Sequence, residues 1–345
     1  MCRRLSDCCA VLSKSIIFLT MKKLCISLLL ASVSLFTTAQ TEATFKPFNN
    51  LDLSVSAGTT GLGLDLATKI APIVQVRAGF HFMPEFEPKM NFGIEGGRYD
   101  ANGNWVTTRF ESMADKMQEF TGFAVDSSID MVGTPNFNNL SLMVDVFPFA
   151  NKHWHVTAGV FYGAAGIADA CNAIEDMPSL LAVGIYNNMY NKILAGEPVI
   201  GDDIYLTPDI EDKFLNMGRM GIRMGDYVRD IVDDEGKVVH KAGEPYIMVP
   251  DENSLVRASI EVNRWRPYLG FGYEGALFKR DPSYRISFDC GAMFWGGTPS
   301  LITHDGTDLV NDVCNVRGKV GRYVDAISKL DVMPVLNVRI TKQIF

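Results

Sequence analysis

The segment LDLSVSAGTTGLGLDLATKIAPIVQVRAGFHF, residues 51–82, decides the fold because apolar and polar residues alternate along almost all of it. Leucine, valine, alanine or phenylalanine occupies every second position of residues 51–57, 62–66 and 74–82. A period of two places successive side chains on opposite faces of a β-strand. The short interruptions between the three runs, one of them containing Pro72, are typical of tight turns. These residues therefore predict three consecutive antiparallel strands.

The same alternation returns along the rest of the chain. Six further candidate strands cover residues 140–146, 154–162, 256–262, 269–277, 286–294 and 336–340. Many of the nine candidates approach the 9–11 residues that a tilted strand needs to cross a bilayer. Two architectures fit such a pattern: a soluble sandwich with its apolar face inward, and a membrane barrel with its apolar face outward.

The composition of the polar face favours the barrel. It combines glycine and serine with charges of both signs that nearly balance, as ion pairs across a closed interior require. The predicted interior charge set is Asp52, Asp65, Lys69, Arg77, Asp145, Arg257, Glu261, Glu274, Arg285, Asp289 and Arg339. Aromatic residues near strand ends, such as Phe80 and Trp154, are typical of the interfacial girdles of membrane barrels. The alternative is a secreted soluble β-sandwich whose polar face meets water.

The predicted fold class is all-β: an antiparallel up-and-down transmembrane β-barrel of 8 to 10 strands with two long, partly helical insertions. Barrels whose two ends lie on the same side of the membrane have an even strand number, whereas nine candidates were found. Either the strand pair within residues 51–66 lies partly outside the membrane, or a tenth strand lies in a long connection. We therefore expect eight or ten strands.

The N-terminal segment predicts export. Residues 21–39 contain Met21-Lys22-Lys23, an apolar core at 24–36 and small residues before Gln40, which together are typical of a cleaved signal peptide. Residues 1–20 precede a complete signal peptide, so we expect Met21 to be the true start. Residues 40–345 then form the mature protein.

Composition excludes two classes of protein. The chain of 345 residues has a net charge of −8 and no basic stripe, which argues against nucleic acid as a partner. Past residue 40 no apolar run reaches the roughly 18 residues of a spanning helix. Of the cysteines, Cys171, Cys290 and Cys314 fall in the mature chain, and whether any two of them pair is left open.

Two long insertions, at about residues 84–139 and 163–253, separate groups of strands. In barrels the long connections face the outside, so we expect an external cap that packs on itself or receives a ligand or partner. The second insertion is partly helical, since Leu181, Ile185, Met189 and Ile193 recur at four-residue spacing after Pro178. Residues 307–330 are also predicted to be helical, with their side of the membrane unassigned.

The sequence predicts no catalytic, cofactor or metal site. His153 and His155 lie two residues apart, but a third ligand is missing from the pattern. No Gly-x-Ser-x-Gly, HExxH or P-loop motif occurs. An outer-membrane hydrolase stays open, because a Ser–His or Asp–His pair can meet in space without a sequence signature.

The segments RPYLGFGYEG (residues 266–275) and FDCGAMFWGGTP (288–299), with the terminal Phe345, resemble small uncharacterised integral outer-membrane β-barrel proteins of Gram-negative bacteria. The resemblance implies a place in the cell outer membrane, with membrane lipid and the barrel-assembly machinery as partners. It also implies that Phe345 is the C-terminal assembly signal. Phe345 is out of phase with the apolar set of the last strand, and a bulge near Lys342 would restore the phase.

Two functions are expected from different classes. The first is a non-enzymatic surface protein, structural or binding, whose barrel anchors an external cap for an unknown external ligand or partner. The second is a narrow channel or small-solute transporter, which would need ten or more strands and an unplugged interior. The sequence identifies neither the ligand nor the oligomeric state.

Overall fold

A computed structural model describes residues 46–201, 203–232, 235–316, 318–329 and 331–345. The predicted signal peptide at residues 21–39 and the expected start at Met21 lie outside the described residues. They therefore stay predictions.

Eight antiparallel strands close into a barrel. Numbered along the chain together with the strands of the cap, they are β1 (Asp52–Gly58), β2 (Gly61–Ala71), β3 (Val74–Phe82), β8 (Asn139–Val146), β9 (Trp154–Gly163), β16 (Trp265–Phe278), β17 (Asp281–Phe294) and β20 (Val332–Gln343). Each strand pairs with the next in this order, and β20 returns to pair with β1. The predicted antiparallel up-and-down barrel is confirmed, with eight strands.

The barrel buries its polar residues and exposes its apolar ones. In β1, Asp52 and Ser54 are buried while Val55 between Ser54 and Ser56 is 57% exposed. The same alternation holds in β8, where Leu142 is 54% exposed and Asp145 is buried. A soluble sandwich has the opposite arrangement, because its apolar faces form the core. The sandwich alternative therefore does not describe this chain.

All long connections leave the same end of the barrel. Residues 83–138, 164–264 and 295–331 join strands there, and together they form what we call the cap. The opposite end carries the short turns after β2, β8 and β16 and both ends of the described chain, where the Leu51 N–H donates to the Phe345 carbonyl at 3.1 Å. The barrel thus has one turn end and one cap end.

The cap combines short strands with four helices in the described residues. Its strands are β4 (Lys89–Gly93), β5 (Glu95–Tyr99), β6 (Trp105–Arg109), β7 (Ser128–Pro135), β10 (Gly166–Asn172), β11 (Arg219–Tyr227), β12 (Ile231–Val232), β13 (Val238–His240), β14 (Pro245–Met248), β15 (Arg257–Glu261), β18 (Ser300–Thr303) and β19 (Val313–Cys314). Its helices are α1 (Glu111–Thr121), α2 (Met177–Ala195), α3 (Pro208–Met217) and α4 (Gly318–Ile327), and a 3₁₀ turn, Ile174–Asp176, precedes α2. None of the helices in the described ranges is long and apolar enough to cross a membrane.

Two sheets organise the cap around one apolar core. One sheet has the order β18-β15-β10-β7-β4 and the other the order β14-β11-β5-β6, with β19 added beside β11. Each sheet joins strands from different insertions. The core between these elements contains Phe110, Ile129, Leu180, Val183, Tyr186, Met220, Met248 and Leu309. The three insertions therefore fold as one unit.

The ninth candidate strand lies in the cap. The candidate strand at residues 256–262 contains β15 (Arg257–Glu261), which pairs with β10 and β18 and with no strand of the barrel. The second insertion consequently runs on to residue 264, beyond the predicted 253. The segment 307–330 contributes β19 and α4 to a third insertion at the same end. No tenth strand is needed, because the excess candidate belongs to a different sheet.

Candidate functional site

Nine members of the predicted charge set face the barrel interior. They are Asp52, Asp65, Lys69, Arg77, Asp145, Glu274, Arg285, Asp289 and Arg339. At mid-height Arg77 binds Asp145 at 3.2 Å, and Arg339 binds Asp289 at 3.2 Å. Nearer the turn end Arg285 lies 2.6 Å from Asp52 and 3.3 Å from Glu274. Three of these ion pairs join neighbouring barrel strands, and the Arg285–Asp52 pair reaches across β20 from β17 to β1.

Arg257 and Glu261 were wrongly assigned to the interior. Both lie on β15 in the cap, where Arg257 binds Asp251 at 2.6 Å and Glu261 is exposed. Their strand has the same alternation as a barrel strand because it is also amphipathic, with one face on an apolar core. Alternation identifies an amphipathic strand and does not say which sheet contains it.

Two interior histidines were not included in the predicted set. His155 Nε2 lies 2.7 Å from Asp289, and His81 Nε2 lies 3.4 Å from Asp65 and 3.2 Å from Ser141. Both are buried. Their signal in the sequence is their phase, since each occupies a polar position of its strand. They extend the network of polar contacts in the interior.

The cap end of the barrel is filled by an apolar plug. Inward residues of five strands, Met143, Phe161, Tyr268, Met293 and Val335, pack there with Phe137 and Trp295 from the adjoining connections. Arg266 is fully buried beside the plug. Its Nε–H donates to the Asn263 carbonyl at 2.8 Å, and its other nitrogens donate to the Asn139 Oδ1 and the Ala164 carbonyl. The guanidinium also lies 5.3 Å from the Phe137 ring centre, so it joins cap and barrel.

The cap contains a wide cleft of about 1780 Å³. Helices α1, α2 and α3 and the loop 249–254 surround it. The floor is the face of α2 that carries Leu181, Ile185 and Met189. These are residues of the four-residue repeat seen in the sequence. They line the cleft, with Ile185 also packing against the edge of the core, whereas Leu180 and Val183 are buried in the core.

Hydrogen bonds fix α2 beneath the cleft. The Asn187 side chain donates to the Met220 carbonyl at 2.8 Å and accepts from the Met220 N–H at 2.9 Å. The Tyr186 hydroxyl donates to the Gly218 carbonyl at 2.9 Å, and its ring stacks on Phe214 of α3 at 5.1 Å. Burial raises the pKa of Tyr186, so the phenol stays a donor across the ordinary pH range. The floor and one wall of the cleft are therefore rigidly connected.

The charges around the cleft are unevenly placed. Lys116, Lys192, Lys213 and Arg219 come from all three helices and from β11, while Glu197, Asp251 and Glu252 come from loops. Asp251 is bound by Arg257 and by two backbone N–H groups, which hold its pKa below the ordinary value despite desolvation. The helical walls thus carry the positive charge.

The structure also describes the histidine pair, the three cysteines and the terminal Phe345 that the sequence analysis singled out. His153 Nδ1 hydrogen-bonds the Glu274 carbonyl at 2.8 Å, and within the described ranges no group of three or more His, Cys, Asp or Glu is placed to hold a metal ion. Cys171, Cys290 and Cys314 are free thiols. Phe345 is exposed beyond β20, whose pairing with β1 runs without a register shift to Gln343, so the suggested bulge near Lys342 is not formed.

No protein-family model matches the chain, and no curated protein matches its sequence. Among solved structures it is similar to CarO2 of Acinetobacter baumannii, at 14% identity and a TM-score of 0.35 over 87% of this chain and 100% of that one. It is also similar to CarO of the same organism, at 15% identity and a TM-score of 0.34 over 87% and 99%. A major outer membrane protein of Thermus thermophilus matches at 13% identity and a TM-score of 0.29 over 85% and 98%.

Proposed function

We propose that this chain is an integral outer-membrane β-barrel protein that holds the cap on the outer face of the cell. In this account the cleaved signal peptide exports it, the assembly machinery inserts it, and the cap serves a non-enzymatic structural or binding role. The observation that carries the proposal is the closed eight-stranded barrel with a polar interior and an apolar outer surface. Such a surface is stable against lipid and costly against water.

Two aromatic groups border the apolar surface. The ring centres of Tyr162 and Trp265 lie 4.8 Å apart near the cap end, and those of Trp154 and Tyr273 lie 5.1 Å apart near the turn end. At roughly 3.3 Å per residue, Trp154 and Tyr162 are roughly 26 Å apart along β9, which is roughly 20 Å along the barrel axis at a strand tilt of about 40°. Outer-membrane barrels present an apolar band of about 25 Å between aromatic girdles. The spacing supports a bilayer-spanning barrel.

The placement of turns supports the orientation. Short turns and both chain ends of such barrels face the periplasm, while long connections face the outside. Here the three long insertions share one end, so the cap faces away from the cell.

The filled interior supports anchoring over transport. A channel would need a continuous polar path, whereas the plug around Met293 and the buried Arg266 occupy the cap end of this eight-stranded barrel. Eight strands leave room for little more than side chains. The His155–Asp289 and His81–Asp65 pairs are enclosed in the same interior, where a lipid or peptide substrate would not reach them, and this supports a non-enzymatic role.

Thiol labelling of intact cells tests the proposal. A variant with Cys171→Ser and Cys290→Ala keeps Cys314, which is exposed on β19 of the cap. A matched variant with Cys314→Ser and Lys279→Cys places the thiol in the short turn after β16. A membrane-impermeant maleimide should label Cys314 on intact cells and the turn thiol only after the envelope is opened. Labelling of the turn thiol alone on intact cells, or of neither thiol, would contradict the proposal.

A further inference from the structure

Helix α2 is apolar on two sides, and only one of them is fully buried. Leu180, Val183 and Tyr186 are buried in the cap core. Leu181, Ile185 and Met189 form a second stripe that lines the cleft. Ile185 is half-buried against the edge of the cap core, whereas Leu181 is 48% exposed. An apolar stripe on a helix normally packs against another element. The open stripe therefore has the character of a surface that another element covers.

The walls of the cleft suit a helix. Met113 and Met117 of α1 line it, as do Phe214 and Met217 of α3. Methionine side chains are flexible and polarisable, and they adapt to helices laid into apolar grooves. A volume of about 1780 Å³ exceeds the roughly 300–1000 Å³ of ordinary small-molecule pockets. A polypeptide segment fits this space better than a small ligand.

The charges define the chemistry of that segment. Lys116 on α1 and Lys213 on α3 form no ion pair among the residues that the structure describes. Lys192 donates to the Val199 carbonyl at 3.3 Å, and Arg219 donates to the Asn191 Oδ1 at 3.2 Å. Because these acceptors are neutral, they do not compensate the positive charges of Lys192 and Arg219. Acidic groups on a bound segment would meet the cations of the helices, while the carboxylates of the lining, Glu197, Asp251 and Glu252, lie in the loops.

We propose that this groove binds an amphipathic α-helix of another protein. The helix sets its apolar stripe on Leu181, Ile185 and Met189, and acidic residues on its flanks pair with Lys116 and Lys213. The inference rests on the proposed function in one respect, since it names the class of partner that the cap receives.

The test uses the full chain in phosphatidylcholine nanodiscs and a fluorescent peptide. The peptide is a Leu-, Ala- and Glu-containing amphipathic sequence of roughly 18 residues, long enough to form a helix once bound. A scrambled peptide of the same composition and a Lys-for-Glu peptide are the matched probes, and empty nanodiscs give the lipid background. Fluorescence anisotropy should show saturable binding of the amphipathic acidic peptide above the binding of both matched probes.

Groove variants test the site itself. Leu181→Glu should weaken binding at least tenfold, whereas Leu194→Glu, on the same helix, 60% exposed and outside the cleft, should leave it unchanged. The double variant Lys116→Glu with Lys213→Glu should weaken binding of the acidic peptide and strengthen binding of the Lys-for-Glu peptide. Lys329→Glu is the control for a change of charge elsewhere in the cap.

Three results would overturn the inference: equal binding of the scrambled peptide, no effect of Leu181→Glu, or no peptide binding at all. The inference would also be overturned if the peptide does not bind and the groove instead binds palmitate or a second copy of the chain. In that case the binding of palmitate or of the second copy would be weakened by Leu181→Glu. If Cys314 is labelled on intact cells but the peptide does not bind, this inference is wrong and the proposed function stands.

Discussion

Arg266 connects the barrel to the cap. It is fully buried and has no carboxylate partner among the described residues, and its donors satisfy oxygens on Asn263, Asn139 and Ala164. The planar guanidinium reaches all three at once, which an ammonium group does not. The residue therefore fixes how the two parts meet, through geometry rather than through a net charge pair.

Arg266→Met should destabilise the folded protein by roughly 3 kcal/mol, because the buried Asn139 Oδ1 and two partly buried carbonyl oxygens would lose their donor. Arg266→Lys should restore little of that loss. The readouts are the temperature at which the folded gel band disappears and the rate of cap proteolysis. Arg264→Met, at an exposed neighbour, is the control. If Arg266→Met and Arg264→Met behave alike, the assigned role of Arg266 is wrong.

Asp305 should make the cap sensitive to acid. Burial by itself raises the pKa of Asp305, but hydrogen bonds from Thr303, the Thr307 N–H and Tyr246 outweigh it and hold the pKa below 3.8. A lowered folded pKa stabilises the cap fully above the unfolded pKa, and this stabilisation is lost as pH falls through the folded pKa.

Hydrogen exchange of the cap between pH 6 and pH 2 would measure this dependence. We expect protection to fall below about pH 4, with a smaller fall in Asp305→Asn. The same acid sensitivity in Asp305→Asn would show that other groups control it.

At the scale of elements, the exposed apolar residues of the barrel and those of the cap meet different environments. Leu142 lies in the middle of β8 on the outer face, while Val106 on β6 of the cap is 45% exposed. Both are exposed apolar residues, but the account places the first in lipid and the second in water. Leu142→Arg should therefore cost roughly 2–4 kcal/mol of barrel stability, and Val106→Arg should be nearly neutral. Urea unfolding in vesicles measures both, and equal effects would contradict the assigned environments.

The same scale shows how far the sequence could predict the structure. Alternation located every barrel strand, since the period of two is a local property of residues such as Val55 and Ser56. It failed for β15, whose alternation is equally clear but whose partners β10 and β18 come from other insertions. The cleft was missed because the four-residue repeat of Leu181 and Ile185 predicts a helix but does not say which apolar face is left uncovered.

At the scale of the molecule, the ion-paired interior, the apolar plug and the cap form a continuous body along the barrel axis. The polar interior is stable only where charges such as Arg77 and Asp145 stay paired, because an unpaired buried charge is costly. The apolar exterior is stable only against lipid. In this account the folded protein is therefore stable only when its barrel is inserted in a membrane.

Cell fractionation followed by gel electrophoresis of the membrane protein, with and without boiling in SDS, tests this central claim most directly. The account predicts enrichment in the outer membrane and a different mobility for the unboiled sample, because a closed barrel stays folded in SDS until it is heated. A soluble periplasmic product with a single mobility would contradict it. The apolar surface around Leu142 would then have to face something other than lipid.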